Sequence, residues 1–81
     1  MYYLYILKCA DKTLYTGITV DLKRRVNEHN TSPLGAKYTA ARRPVELVYS
    51  EEFSNRSDAS KQEHFVKHLT REEKLKLIGI L

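Results

Sequence analysis

A single cysteine stands in the 81-residue chain, so no disulfide can close within it. Cys9 reads instead as a small apolar residue on a buried strand, suited to a reducing cytoplasm. No apolar run approaches the roughly 18 residues of a membrane span, and the first residues lack the charged and apolar regions of a secretory leader. This points to an unprocessed cytoplasmic protein with no membrane partner. Breakers of regular structure are scarce too: both prolines and one of the three glycines fall within residues 30–44, which marks that segment as loop. No repeat, low-complexity tract or linker divides the chain, so residues 1–81 read as one domain, one that hides only about 60 to 65% of its unfolded surface. Acid is short in the first half. Residues 1–44 carry eight basic residues against three acids and the remainder six against seven, within a net charge of +4. A polyanionic partner would meet the first half, although a plain solvated surface would look the same by charge alone.

Tyrosine is what the chain has in excess: four of its six lie between Tyr2 and Thr19. Tyr2 to Cys9 alternates, with Tyr3, Tyr5, Leu7 and Cys9 on one face and Tyr2, Leu4, Ile6 and Lys8 on the other. Leu14 to Thr19 is again β-rich, and two such runs across a short loop predict an antiparallel hairpin. Pairing Cys9 with Thr13 across three residues would set Tyr5 opposite Gly17 with Tyr15 on the same face. A slip of one residue would separate the two tyrosines. A helix follows with Thr19 or Asp21 as N-cap and a body to about Asn30, then a third strand over Val45 to Phe53. A second helix is predicted over Ser57 to Leu69, starting at Ser57 or Asp58. Thr70 with Glu73 three residues on is a capping-box pattern that opens a third helix ending near Ile80, with Leu75, Leu77, Ile78, Ile80 and Leu81 as its packing residues. The order ββαβαα is an α+β fold, a small three-stranded antiparallel sheet flanked by helices.

Some side chains do not suit a plain core. Leu22, Arg25, Val26 and His29 fall at i, i+3, i+4 and i+7, and the two aliphatics mark that stripe as the inward one. An unpaired buried guanidinium costs several kcal/mol, so Arg25 either pairs with a carboxylate or lines a cleft that an anion can reach. In the second helix Ala59, Phe65, Val66 and Leu69 form the apolar stripe, with Glu63 at its edge and Lys67 one turn on. That pair reads either as a surface ion pair or as a carboxylate placed to hold a metal at a cleft rim. His64 and His68, also i and i+4, have the spacing of zinc ligands, but no third ligand follows at a recognisable distance, which leaves helix-surface histidines as the alternative. Lys37, Tyr38, Arg42 and Arg43 place cations beside an aromatic in the loop, as phosphate contact and base stacking require, or as an ordinary solvated turn would.

Taken in order, "YLYIL", "YTG", the segment "YTGITVDLKRRVNEH" and "DASKQEHFVK" resemble the GIY-YIG domain over nearly the whole chain, and within it the small stand-alone bacterial members. Tyr3 stands where the first motif has its glycine, and Thr16 where the second has its isoleucine. No residue clearly matches the asparagine that some members use late in the domain. The resemblance implies metal-dependent hydrolysis of nucleic-acid phosphodiester bonds, in DNA processing or repair. It assigns Tyr5, Tyr15, Arg25 and His29 to catalysis and Glu63 to a single Mg²⁺ or Mn²⁺. Tyr15, assisted by Tyr5 or His29, would take the proton from water. An ordinary tyrosine pKa of about 10 requires nearby positive charge for that, and Lys23, Arg24 and Arg25 are close in sequence. Lys23, Arg24, Lys37, Tyr38, Arg42 and Arg43 are the residues expected to contact nucleic acid. Relatives with this domain take their specificity from other domains, so a protein partner would supply the choice of site. The alternative is a nucleic-acid-binding or accessory interaction module with little or no catalytic activity.

Overall fold

The computed structural model describes residues 1–79, and its hairpin adopts the register that unites the two tyrosines. Strand β1 (Tyr2–Lys8) and strand β2 (Leu14–Thr19) pair antiparallel with Tyr5 opposite Gly17 and Leu7 opposite Tyr15. The turn fixes this register. Cys9 N–H donates to the Thr13 carbonyl at 2.9 Å, and Lys12 takes the left-handed conformation at φ 70 that a three-residue hairpin loop requires. Asp11 braces the turn by accepting from the Thr13 backbone at 3.1 Å and its hydroxyl at 2.6 Å.

Helix α1 (Leu22–Thr31) begins at Asp21, whose carboxylate accepts from Arg24 N–H at 3.0 Å. Thr19, the other candidate cap, accepts from Asp21 N–H instead. Within the segment expected as loop, Lys37–Ala40 closes a single helical turn, α2. Gly35 allows that segment to lie on α1, since a Cβ there would come within 2.7 Å of the Glu28 carbonyl. Strand β3 (Glu46–Phe53) pairs antiparallel with the other edge of β1, with Val48 as the extra residue of a bulge, giving the order β2-β1-β3. Helix α3 (Arg56–Lys67) starts earlier than Ser57 or Asp58, because Asn55 caps it by accepting from Asp58 N–H at 2.9 Å. It ends two residues short of Leu69. Helix α4 (Arg71–Leu77) carries the full capping box between Thr70 and Glu73, and the expected end near Ile80 lies outside the described residues, as does Leu81.

The sheet separates two apolar clusters. Tyr5, Leu7, Cys9 and Val45 form one, covered by Leu22 and Val26 of α1. Leu4, Ile6 and Val66 form the other, against Ile18, Leu69 and Leu77. Phe65, expected in the inward stripe of α3, is 58% exposed. Ala59 and Val66, seven residues apart, set the direction of that stripe, and Phe65 lies well round the helix from it, whereas Glu63 lies at its margin.

Two positions of β2 give direct tests of this packing. Thr16 is buried with a hydroxyl that has no hydrogen-bond partner. Thr16→Val keeps the shape and removes the stranded group, so thermal denaturation should show a gain of about 1 kcal/mol. Gly17 is required by sterics: a Cβ there would stand 2.5 Å from the Tyr5 hydroxyl oxygen and 2.6 Å from Cζ. Gly17→Ala should cost roughly 1–3 kcal/mol in denaturant unfolding and displace the Tyr5 ring, an outcome that a normal melt with unchanged Tyr5 resonances would contradict.

Candidate active site

Burying a histidine demands a partner for each ring nitrogen, and the partners found for His29 define the site. Its Nδ1 lies 2.7 Å from the Thr39 hydroxyl and its Nε2 lies 2.9 Å from the Tyr5 hydroxyl, all three residues being almost wholly buried. The proton directions follow from one further bond. Thr39 spends its only hydroxyl proton on the Ala36 carbonyl at 2.9 Å, so its oxygen accepts from Nδ1–H. Nε2 is then the acceptor for the Tyr5 O–H. Tyr15, half-buried on the same face as Tyr5, packs its ring 5.2 Å from that of His29 and 5.8 Å from that of Tyr38. The Arg42 guanidinium sits 4.0 Å over the Tyr38 ring and continues the stack to the surface.

Arg25, one turn before His29, meets both conditions set by its position. Its guanidinium donates to Glu28 Oε1 at 2.9 Å and to the Leu34 carbonyl at 2.8 Å, and it lines a cavity of about 340 Å³. It also acts on both buried groups beside it. Burial raises the pKa of the Tyr5 phenol; Arg25 pulls against this, while Tyr15 and Glu63 add to the rise. Burial and Arg25 press His29 down to about 4, with Glu28 opposing and Arg43 assisting. At neutral pH His29 is therefore the uncharged imidazole that the hydrogen bonds require.

Glu63 comes from the far side of β2, on α3, with 23% of its side chain exposed and Lys67 at 3.3 Å. The expected surface pair is present, and the same carboxylate is near enough to Tyr5 to influence its ionisation. Tyr5, Tyr15 and His29 thus touch, while Arg25 and Glu63 bear on the same phenol from two helices.

The expected nucleic-acid residues divide. Lys23 and Lys37 are exposed, and Arg24 shares Glu28 with Arg25 at 3.8 Å. Arg42 is tied to Asp11 at 3.0 Å and to the Tyr38 carbonyl at 2.9 Å. Arg43 departs from the expectation of a presented cation: it turns inward and donates to the carbonyls of His29 at 2.6 Å and Ser32 at 2.7 Å. It fastens the loop to the open carbonyl end of α1, where a cation is favoured by the helix dipole. Thr39 and Arg56, which lines the same cavity as Arg25, went unmarked in the sequence. Thr39 meets His29 ten residues on, across the loop between α1 and α2, a separation for which no periodicity exists.

The donor set bears on which metal the site could take. Among the described residues no cluster of three or more His, Cys, Asp or Glu side chains converges. His68 spends Nδ1–H on the His64 carbonyl at 2.7 Å, and no third ligand joins the two histidines, so a closed zinc site does not fit. A hard cation that keeps most of its waters and needs one carboxylate does fit, at Glu63.

Residues 1–76 match the family model described as the GIY-YIG catalytic domain. The chain belongs to the GIY-YIG family. Curated relatives include a UPF0213 protein of Desulfotalea psychrophila, 52% identical over 77 residues that span 95% of this chain and 70% of the relative. Another, from Syntrophus aciditrophicus, is 53% identical over 76 residues, or 94% of this chain and 87% of the relative. The solution structure of a UPF0213 protein from Bacillus halodurans superposes with a TM-score of 0.63 at 43% identity, covering 99% of this chain and 85% of that one. On the GIY-YIG pattern, the isoleucine position falls on Thr16, the residue among those described whose buried side-chain oxygen has no hydrogen-bond partner. Among the described residues no helix is long and apolar enough to cross a membrane.

Proposed function

We propose that this GIY-YIG chain hydrolyses phosphodiester bonds in nucleic acid, acting on DNA in processing or repair. The observation that carries the reading is the hydrogen bond of a neutral buried histidine to one phenol, with a second, more accessible tyrosine packed on the same ring and the charges of Arg25 and Glu63 acting on that phenol. A structural core gains nothing from such a set, since each polar group in it must be compensated.

The roles follow from where each group stands. Tyr5 is held as a hydrogen-bond donor to His29 with its pKa raised, so it stays a phenol and positions what lies beside it. Tyr15 is the more open of the two, and as its phenolate it would take a proton from attacking water. Arg25 balances charge that grows on the phosphoryl oxygens. Glu63 would hold the divalent ion, Mg²⁺ or Mn²⁺, whose chemistry when bound is to polarise the phosphate and stabilise the leaving 3′ oxygen. Lys23 and Arg24 of α1 and Lys37, Tyr38 and Arg42 of the loop would carry the strand, and Arg43 shapes that loop. One domain spanning residues 1–81, working in the cytoplasm with a protein partner that chooses the site, completes the reading. The test is cleavage of a panel of single-stranded, duplex, flap and branched DNA and RNA, with Mg²⁺, with Mn²⁺ and with chelator, using Glu63→Ala as control. Metal-dependent nicking lost in Glu63→Ala is expected. Tight binding without cleavage on every substrate would favour the binding module.

A further inference from the structure

Of the residues that line the cavity beside Arg25, the roles above use only Arg24 and Arg25. The cavity lies where β1 begins and β2 ends, between α1 and the first residue of α3. Arg24, Arg25 and Arg56 converge on it against one carboxylate, Glu28. That carboxylate is already committed to Arg25 at 2.9 Å and shared with Arg24 at 3.8 Å. The ion pairs among the described residues leave Arg56 without a carboxylate. The rest of the wall includes Tyr2 and Val20, the latter 54% exposed. Excess positive charge on one side, an apolar surface on the other and a volume of about 340 Å³ suit a ligand with an anionic group and a flat or apolar body.

We propose that this cavity is a subsite for the nucleotide next to the bond that is cut, with its phosphate on Arg56 and Arg24 and its sugar and base against Val20 and Tyr2. The assignment rests on the nuclease reading through Arg25, which stands in the wall common to the ring cluster and the cavity. A strand with its scissile phosphate at Arg25 carries its neighbouring phosphate into this space. Arg56, at the start of α3, then orients the strand from the same helix that bears Glu63. Both walls of the site would be engaged by one strand.

The experiment is an amide-shift titration of the protein with a 5′-phosphorylated thymidine dinucleotide, and with inorganic phosphate, in the unchanged chain, Arg56→Gln and Arg71→Gln. Arg71 is exposed at the start of α4, so its replacement removes the same charge elsewhere. Shifts should centre on Thr19, Val20, Arg24 and Arg56. Arg56→Gln should weaken dinucleotide binding about tenfold, as loss of one charged hydrogen-bond donor does, with Arg71→Gln nearly unchanged. The dinucleotide should bind more tightly than phosphate. Equal binding of the two probes, equal loss in both variants, or shifts centred on Tyr38 and Arg42 would each overturn the subsite. Cleavage separates this from the broader reading: a chain that cuts nothing yet still binds the dinucleotide here keeps a nucleotide site at this cavity but loses both the nuclease and the placement of that site beside a cut bond. Cleavage at limiting substrate that is unaffected by Arg56→Gln keeps the nuclease and loses the subsite.

Discussion

Tyr15→Phe should bind nucleic acid as the unchanged protein does and cut it roughly 10²- to 10⁴-fold more slowly, the usual loss when a general base is removed. The ring stays, and with it the contacts at 5.2 Å to His29 and 5.8 Å to Tyr38, so folding and the loop position are preserved. Only the hydroxyl goes. Tyr5→Phe should behave differently, because the Tyr5 hydroxyl fills the acceptor at His29 Nε2 and its loss leaves a buried nitrogen unpaired. That variant should melt earlier, by about 1–3 kcal/mol, as well as cut more slowly. Single-turnover rates beside binding constants separate the two. Near-normal cutting by Tyr15→Phe with loss in Tyr5→Phe would move the base to Tyr5; near-normal cutting by both would make the tyrosines structural and leave His29 or metal-bound water as the base.

Mild acid should destabilise the fold well before the carboxylates protonate. His29 is held at about 4 against an ordinary 6.5, so as pH falls the unfolded chain takes up the proton first. Stability from the neutral ring is complete above about pH 6.5 and is lost as pH falls toward 4. Between pH 7 and 5 the loss comes to about 2 kcal/mol, or a Tm lower by roughly 10 °C for a domain of this size. A protonated His29 could no longer accept from Tyr5, and it would face Arg25 and Arg43 with only Glu28 in compensation. Asp11 and Glu73 both sit below the usual carboxylate range, so what they contribute disappears only at lower pH. Melts at half-unit intervals should show the fall, and His29→Gln should flatten it. A constant Tm from pH 7 to 5 in the unchanged chain would mean that His29 is not held neutral by its surroundings.

What could be read from the chain was what local geometry controls. Two β-rich runs across a short loop announce a hairpin but leave its register open, and of the two pairings considered the structure takes the one with Tyr5 opposite Gly17. A 3.6-residue period fixes a face, and His29 is buried where Leu22 and Val26 pointed. The start of α3 was misplaced because "SNRSD" offers several capping residues in a row, and Asn55 prevails because its side chain accepts from Asp58 N–H through Oδ1 and donates to the Asp58 carboxylate through Nδ2. The turn α2 was missed since it has no side-chain cap and is held by Thr39 and by contact with α1. Long-range partners were out of reach for the same physical reason: Thr39 to His29 and Arg43 to the end of α1 are tertiary contacts made by a loop, with no spacing to announce them. The helical period marked Glu63 at the margin of the core with a surface ion pair and a metal ligand both open, and the family resemblance chose the second.

On the function proposed above, Glu63 would hold a metal that this chain needs to cut nucleic acid. That central claim is tested most directly by single-turnover cleavage of the best substrate by the unchanged chain and by Glu63→Gln across a range of Mn²⁺ concentrations, with binding measured in parallel. The unchanged chain should be silent in chelator and active with metal. Glu63→Gln should bind the substrate equally, show no cleavage at low Mn²⁺ and recover in part only at high Mn²⁺. Equal rates for the two proteins at every metal concentration, or full activity in chelator, would contradict the account.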